Sequence, residues 1–153
     1  MRRRWALGVP VLICLLVLAV AVPANAAARL RLYRGQTSQG ERIKFIVART
    51  DAGRSVVEVD LDVTFTCEDE TTQDWGIGWA FGPPRFAPPI EADGAFSYDD
   101  VSPYMAAHFT GQFGTLSGQG TASIAQPSLT ADEQAQLCTT GDLTWTVEFV
   151  RRL

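Results

Sequence analysis

One histidine, one lysine and three cysteines are all this 153-residue chain holds of those residue types, and each scarcity excludes a class of chemistry. A metal site of imidazoles and thiolates needs several ligands at set spacings, and His108 has no second histidine to join it. Catalysis of the Ser-His-Asp kind would have to run through the same residue. No Gly-x-Ser-x-Gly turn is present to lift a serine out of a sheet. The surroundings Ala106-Ala107-His108-Phe109-Thr110 read as ordinary strand, with His108 a polar position on its face. Asp99 and Asp100 could serve glycoside hydrolysis only if folding set two acids about 5 to 9 Å apart over a cleft, and the chain is short for one. The expectation is a protein that is not an enzyme and carries no cofactor and no metal.

Long apolar runs are also missing, with one exception. Arg2, Arg3 and Arg4 precede an apolar stretch from Leu12 to Val22, and Ala24-Asn25-Ala26 follows with small residues at the places a signal peptidase reads. This is the pattern of a secretory signal peptide over residues 1–26, cut after Ala26; the stretch falls short of the roughly 20 apolar residues of a membrane span. Cys14 lies inside the leader. Ile13 before it and the continuing run to Val22 do not fit a lipoprotein box, so no membrane anchor is expected after cleavage. Residues 27–153 then form a single secreted, extracellular domain. Without the three leader arginines, ten Lys and Arg stand against 17 Asp and Glu, a net charge of −7, which repels nucleic acid and anionic headgroups. An extracellular protein or a glycan is the expected kind of partner.

Cys67 and Cys138 remain once the leader is gone. In an oxidising compartment they most simply form one disulfide, and a loop of 71 positions makes such a bridge worth up to about 4 kcal/mol by chain entropy.

Periodicity supplies the fold. Val57, Val59, Leu61, Val63, Phe65 and Cys67 alternate with Glu58, Asp60, Asp62, Thr64 and Thr66, the repeat of a strand with one wet and one buried face. Ile43, Phe45 and Val47 precede it as the other arm of a hairpin, with Asp51-Ala52-Gly53-Arg54 as the turn. Leu30 to Arg34 predicts an opening strand followed by a polar turn over 35–40, and Ala95–Asp99, Ala106–Phe113 and Gly118–Gln126 predict further strands. After a Gly141-Asp142 turn, Leu143, Trp145, Val147 and Phe149 alternate with polar neighbours. A short helix is expected near 128–137, where Ser128 or Thr130 could cap it and Asp132 and Glu133 suit a first turn. About eight strands joined by tight turns predict an all-β, antiparallel β-sandwich or flattened up-and-down β-barrel.

Taken together, YRGQTSQG, IKFIV, the strand ending in Cys67, FTGQFGTLSGQGTASI and CTTGDLTWTV resemble a set of small secreted all-β domains of unknown function from GC-rich bacteria. The resemblance spans nearly all of residues 27–153 and implies the fold and the bridge, and no functional residue. In such domains a glycine often follows the first cysteine closely, whereas Glu68-Asp69-Glu70 stands here.

Two segments are candidate sites. Glu68, Asp69, Glu70 and Asp74 read as an acidic loop that could hold a hard cation or simply be solvated. Residues 82–94, GPPRFAPPIEADG, hold four prolines and predict a loop outside regular sheet. Arg85 and Phe86 sit between its Pro-Pro pairs on a frame stiffened for recognition. With Trp75 and Trp79 they form a candidate binding loop, against which alternation favours core positions for Trp75, Trp79 and Trp145 and the Pro-rich loop reads first as a plain connector. A non-catalytic binding or envelope-associated domain is the leading expectation, and a small hydrolase or a protease inhibitor using loop 82–90 is the alternative.

Overall fold

The structure is a computed structural model that describes residues 28–84, 86–129 and 133–153; residues 1–27, with the expected leader, Arg85 and residues 130–132 lie outside them. Nine strands follow one another: β1 (Arg29–Thr37), β2 (Arg42–Thr50), β3 (Gly53–Cys67), β4 (Thr72–Ala80), β5 (Pro89–Ile90), β6 (Ala95–Val101), β7 (Ala106–Phe113), β8 (Ser117–Leu129) and β9 (Ala135–Arg152). They form one antiparallel sheet in the order β4-β3-β2-β1-β9-β8-β7-β6, with β5 beside β3. The all-β, antiparallel expectation holds.

The sheet is folded over into two layers because its inward rows are apolar on both halves. Phe45 of β2 meets Phe96, Phe113 and Trp145 from the other half, with ring centroids 4.8 to 6.1 Å apart. Trp145 is 1% exposed, and the glycines opposite make its place. A Cβ on Gly111 or Gly120 would stand 2.3 or 2.6 Å from Trp145 Cζ2, closer than packed carbons approach.

β9 changes neighbours along its length. Its C-terminal part pairs with β1, from Thr37↔Trp145 to Arg31↔Arg152, while its N-terminal part reaches β3 at Thr66↔Thr139 and Cys67↔Cys138. Between the two the β1–β2 turn fills the gap. Ser38 exchanges hydrogen bonds with Thr144, N to O at 2.8 Å and Thr144 N to Ser38 Oγ at 3.2 Å. The Gln39 side-chain amide does the same with the Thr64 backbone at 2.8 and 3.0 Å, standing in for a strand. The sheet is thus continuous past the tip of the β1–β2 hairpin, where β3 and β9 become direct neighbours at Cys67. On its opposite flank β4 and β6 share no ladder and are zipped by side chains: Trp79 and Phe81 pack edge-on to Tyr98 at 6.5 and 4.6 Å, and Trp79 Nε1 donates to Asp100 Oδ2 at 3.0 Å.

Four local expectations are corrected. No helix forms near 128–137 among the described residues, Thr130 and Asp132 of that expectation lying outside them: Ser128 and Leu129 continue β8, Ala135 to Leu137 open β9, and the pairs run Pro127↔Leu137, Ser128↔Gln136 and Leu129↔Ala135. One or two turns of helix cannot repay their nucleation, whereas the ladder is continued from strands already pinned by Cys138. Pro127 costs no bond to β7, whose pairing with β8 ends at Ala125↔Ala106. Gly141-Asp142 is not a turn but part of a bulge inside β9, where Ser123↔Asp142 gives way to Ala125↔Thr139 and Gly141 takes a φ of 64° that glycine adopts freely. The acidic loop ends early, since β4 begins at Thr72 and includes Asp74. The proline segment is not wholly outside the sheet: Pro89 and Ile90 pair with Ser55 and Arg54 of β3, on an edge that β4 has already left, where a missing donor is tolerated.

Candidate functional site

The residues named for a binding loop do not come together. Trp75 lies across from Val63 and Trp79 across from Val59, so both belong to the inward row of β4, four residues or about 13 Å apart. Trp79 is packed against Phe109 at 5.3 Å and lies half-buried against the core. Trp75, near the uncovered end of an edge strand, is 49% exposed. Phe86 is 69% exposed in a turn closed by its own N–H to Pro83 O, past the other end of β4. Arg85 lies outside the described residues. Among the described residues there is no single aromatic platform. Beside the Trp79 zip, burial first and then the Asp100 carboxylate push the Tyr98 hydroxyl pKa above its usual value, which keeps it neutral.

The acidic turn is occupied with its own structure. Glu68 Oε2 accepts from Leu137 N at 3.2 Å, and Asp69 accepts from the Thr71 backbone and hydroxyl and from Gln136 Nε2. The Thr71 hydroxyl, then its N–H, hold the Asp69 carboxyl below the usual carboxylate range. These carboxylates tie the turn to β9, and among the described residues no group of three His, Cys, Asp or Glu is placed to hold a metal.

His108 acquires neighbours that the sequence does not reveal. Asp99↔His108 and His108↔Ser123 are in-register pairs on β6, β7 and β8, and His108 Nδ1 contacts Asp99 Oδ1. The row borders a shallow depression of about 200 Å³ on the outer face. An acyl-transfer site needs more than this order of residues. No hydrogen bond joins Ser123 to His108 among the described residues, and the Ile124 N–H, a natural oxyanion donor beside that serine, is given to Thr140 Oγ1 at 3.0 Å.

A wider concavity lies at the mouth of the barrel, at the end away from the disulfide. It measures about 820 Å³ and has Tyr33, Val47, Ile90 and Phe113 at its base. Its walls are built by one rule. On three adjacent strands the inward row runs apolar and then ends in arginine: Tyr33 then Arg31 on β1, Val47 then Arg49 on β2, Val56 then Arg54 on β3. Arg31 Nη1 donates to Thr115 O at 3.2 Å, and its guanidinium lies 5.6 Å from the Phe149 ring centroid. Arg54 Nη1 donates to Phe113 O at 3.3 Å. Arg49 makes no side-chain hydrogen bond or ion pair among the described residues. The second half of the proline segment, Pro89 to Asp93, forms the facing wall. Sequence reading missed these arginines, which are scattered along the chain. For Arg31 and Arg49 the available signal was that each continues the two-residue repeat of its strand past the last apolar position; Arg54 falls in line with Val56 only through the bulge opposite Ile46 and Val47, which the sequence does not reveal.

No protein-family model, no curated protein and no solved structure matches the chain.

Proposed function

We propose that this chain is a secreted, non-catalytic binding domain that uses the mouth of its flattened barrel as its ligand-binding end. The observation that carries the reading is the mouth itself, a concavity of small-molecule size with polar walls on a rigid sheet and a proline-stiffened segment as one side. A frame already ordered loses little entropy on binding. Secretion rests on the leader pattern of residues 1–26 and is supported by the Cys67–Cys138 bridge, which oxidising compartments favour. Among the described residues no helix is long and apolar enough to cross a membrane. Membership of a family of small secreted domains from GC-rich bacteria belongs to the same proposal.

A thermal-shift screen of oligosaccharides, peptides and small organic ions tests it with two variants. Ala92→Trp fills the mouth from an exposed turn position, and Trp75→Ala alters β4. Hits lost in Ala92→Trp and retained in Trp75→Ala support the mouth. Hits lost in Trp75→Ala, or turnover of a screened ester or glycoside that Ser123→Ala abolishes, would replace it with the aromatic edge or with hydrolase chemistry.

A further inference from the structure

Taking the mouth as the binding end, and resting on that reading, we infer that its ligand is a small oxyanion, a phosphate or a group of clustered carboxylates gripped by Arg31, Arg49 and Arg54. The register makes the case. Arg49 is the direct cross-strand partner of Arg29 on one side and Arg54 on the other, and like charges placed directly opposite destabilise a sheet. Six of the ten Lys and Arg beyond residue 26 gather at this end: Arg29, Arg31, Arg49 and Arg54, with Arg151 and Arg152 at the end of β9.

Acids are not in short supply. On the outer face of the same strands Lys44 is paired with Glu58 and Asp60, and Arg42 with Asp62. At the mouth Asp51, Glu91 and Asp93 stand on the rim, yet none closes an ion pair with an arginine among the described residues; Asp93 Oδ1 accepts instead from Ala95 N at 2.9 Å. Repulsion is kept where pairing was available.

The donors are also set for a ligand. Arg54 and Arg31 are each steadied by one bond to a backbone carbonyl, at the last residue of β7 and in the loop that follows it, which leaves most of each guanidinium fork uncommitted. Arg49 sits between them with its donors unspent. A planar fork matches a carboxylate or phosphate edge with two parallel bonds, and three forks on neighbouring strands match an anion with several oxygens. The acidic rim opposite disfavours a long polyanion such as nucleic acid and leaves room for a compact one.

The test is calorimetry and thermal shift on the purified protein at fixed ionic strength, with citrate, inorganic phosphate and, as a neutral control, sucrose. Citrate or phosphate is expected to raise Tm saturably and sucrose to do nothing specific. Stabilisation by phosphate alone assigns a phosphate group, and by citrate alone clustered carboxylates. Arg49→Gln, which breaks no side-chain hydrogen bond or ion pair among the described residues, should fold with an unchanged or higher Tm and bind the anion at least about tenfold more weakly, whereas Arg34→Gln, outside this mouth, should bind like the unaltered chain. No saturable response to either anion, or a response that survives Arg49→Gln, overturns the assignment. A neutral ligand lost in Ala92→Trp but indifferent to Arg49→Gln would sink the anion and keep the mouth. Anion binding untouched by Ala92→Trp would sink both.

Discussion

Cys67 and Cys138 are direct cross-strand partners, with Cα atoms 3.9 Å apart, at the place where β3 reaches β9. The bridge locks a junction that only two residue pairs of ladder support. Cys67→Ala with Cys138→Ala is expected to cost about 2 to 4 kcal/mol, measured by urea unfolding. Two free thiols titrating in the denatured, unreduced protein would remove the bridge from the account.

The turn beside this bridge offers a gain. Glu70 holds a φ of 64°, which costs an L side chain about 1 kcal/mol and glycine almost nothing. Glu70→Gly is expected to raise stability by up to about 1 kcal/mol. An unchanged or lower Tm would mean that the side chain contributes something the geometry does not show.

The opposite result is expected at Gly120, where a Cβ would stand 2.0 Å from Thr110 O and 2.6 Å from Trp145 Cζ2. Gly120→Ala must push the backbone of β7 or the buried indole, and a loss of about 3 kcal/mol follows. A blue-shifted, unaltered tryptophan emission with normal stability would contradict the packing of Trp145.

Lys44 should make stability fall at alkaline pH. Its ammonium lies 2.6 Å from Glu58 Oε1 and also contacts Asp60, and hydrogen bonds to Asp60 first and Glu58 second raise its pKa from the ordinary 10.5. A base with a raised folded pKa contributes fully below its unfolded pKa and loses that contribution as pH climbs through the folded value. Lys44→Met should therefore cost about 1 kcal/mol at neutral pH, and the gap between variant and parent should close above pH 10.5. A gap constant across that range would show that the pair contributes through packing only.

The long strands were legible because a buried face writes a two-residue repeat into the chain, as from Val59 to Cys67 and from Leu143 to Phe149; at the start of β3 a bulge breaks the repeat, so that Val56 is buried in place of Val57. Short elements were not. Pro127 to Gln136 carries helix-capping residues, but Leu129↔Ala135 pairing is decided by strands anchored elsewhere. Trp75 and Trp79 look alike in sequence, and only the position along an edge strand packs Trp79 half-buried against the core and leaves Trp75 49% exposed. The arginine mouth depends on register, which brings Arg31, Arg49 and Arg54 together from three strands.

The most direct measurement is an amide-resolved NMR titration of the isotope-labelled protein with citrate at constant ionic strength. A mouth that binds oxyanions predicts saturable shifts concentrated at Arg31, at Arg49 to Arg54, at Glu91 to Asp93 and at Phe113 to Thr115. Shifts centred instead on Trp75, Phe86 or His108, or none that saturate, would contradict it.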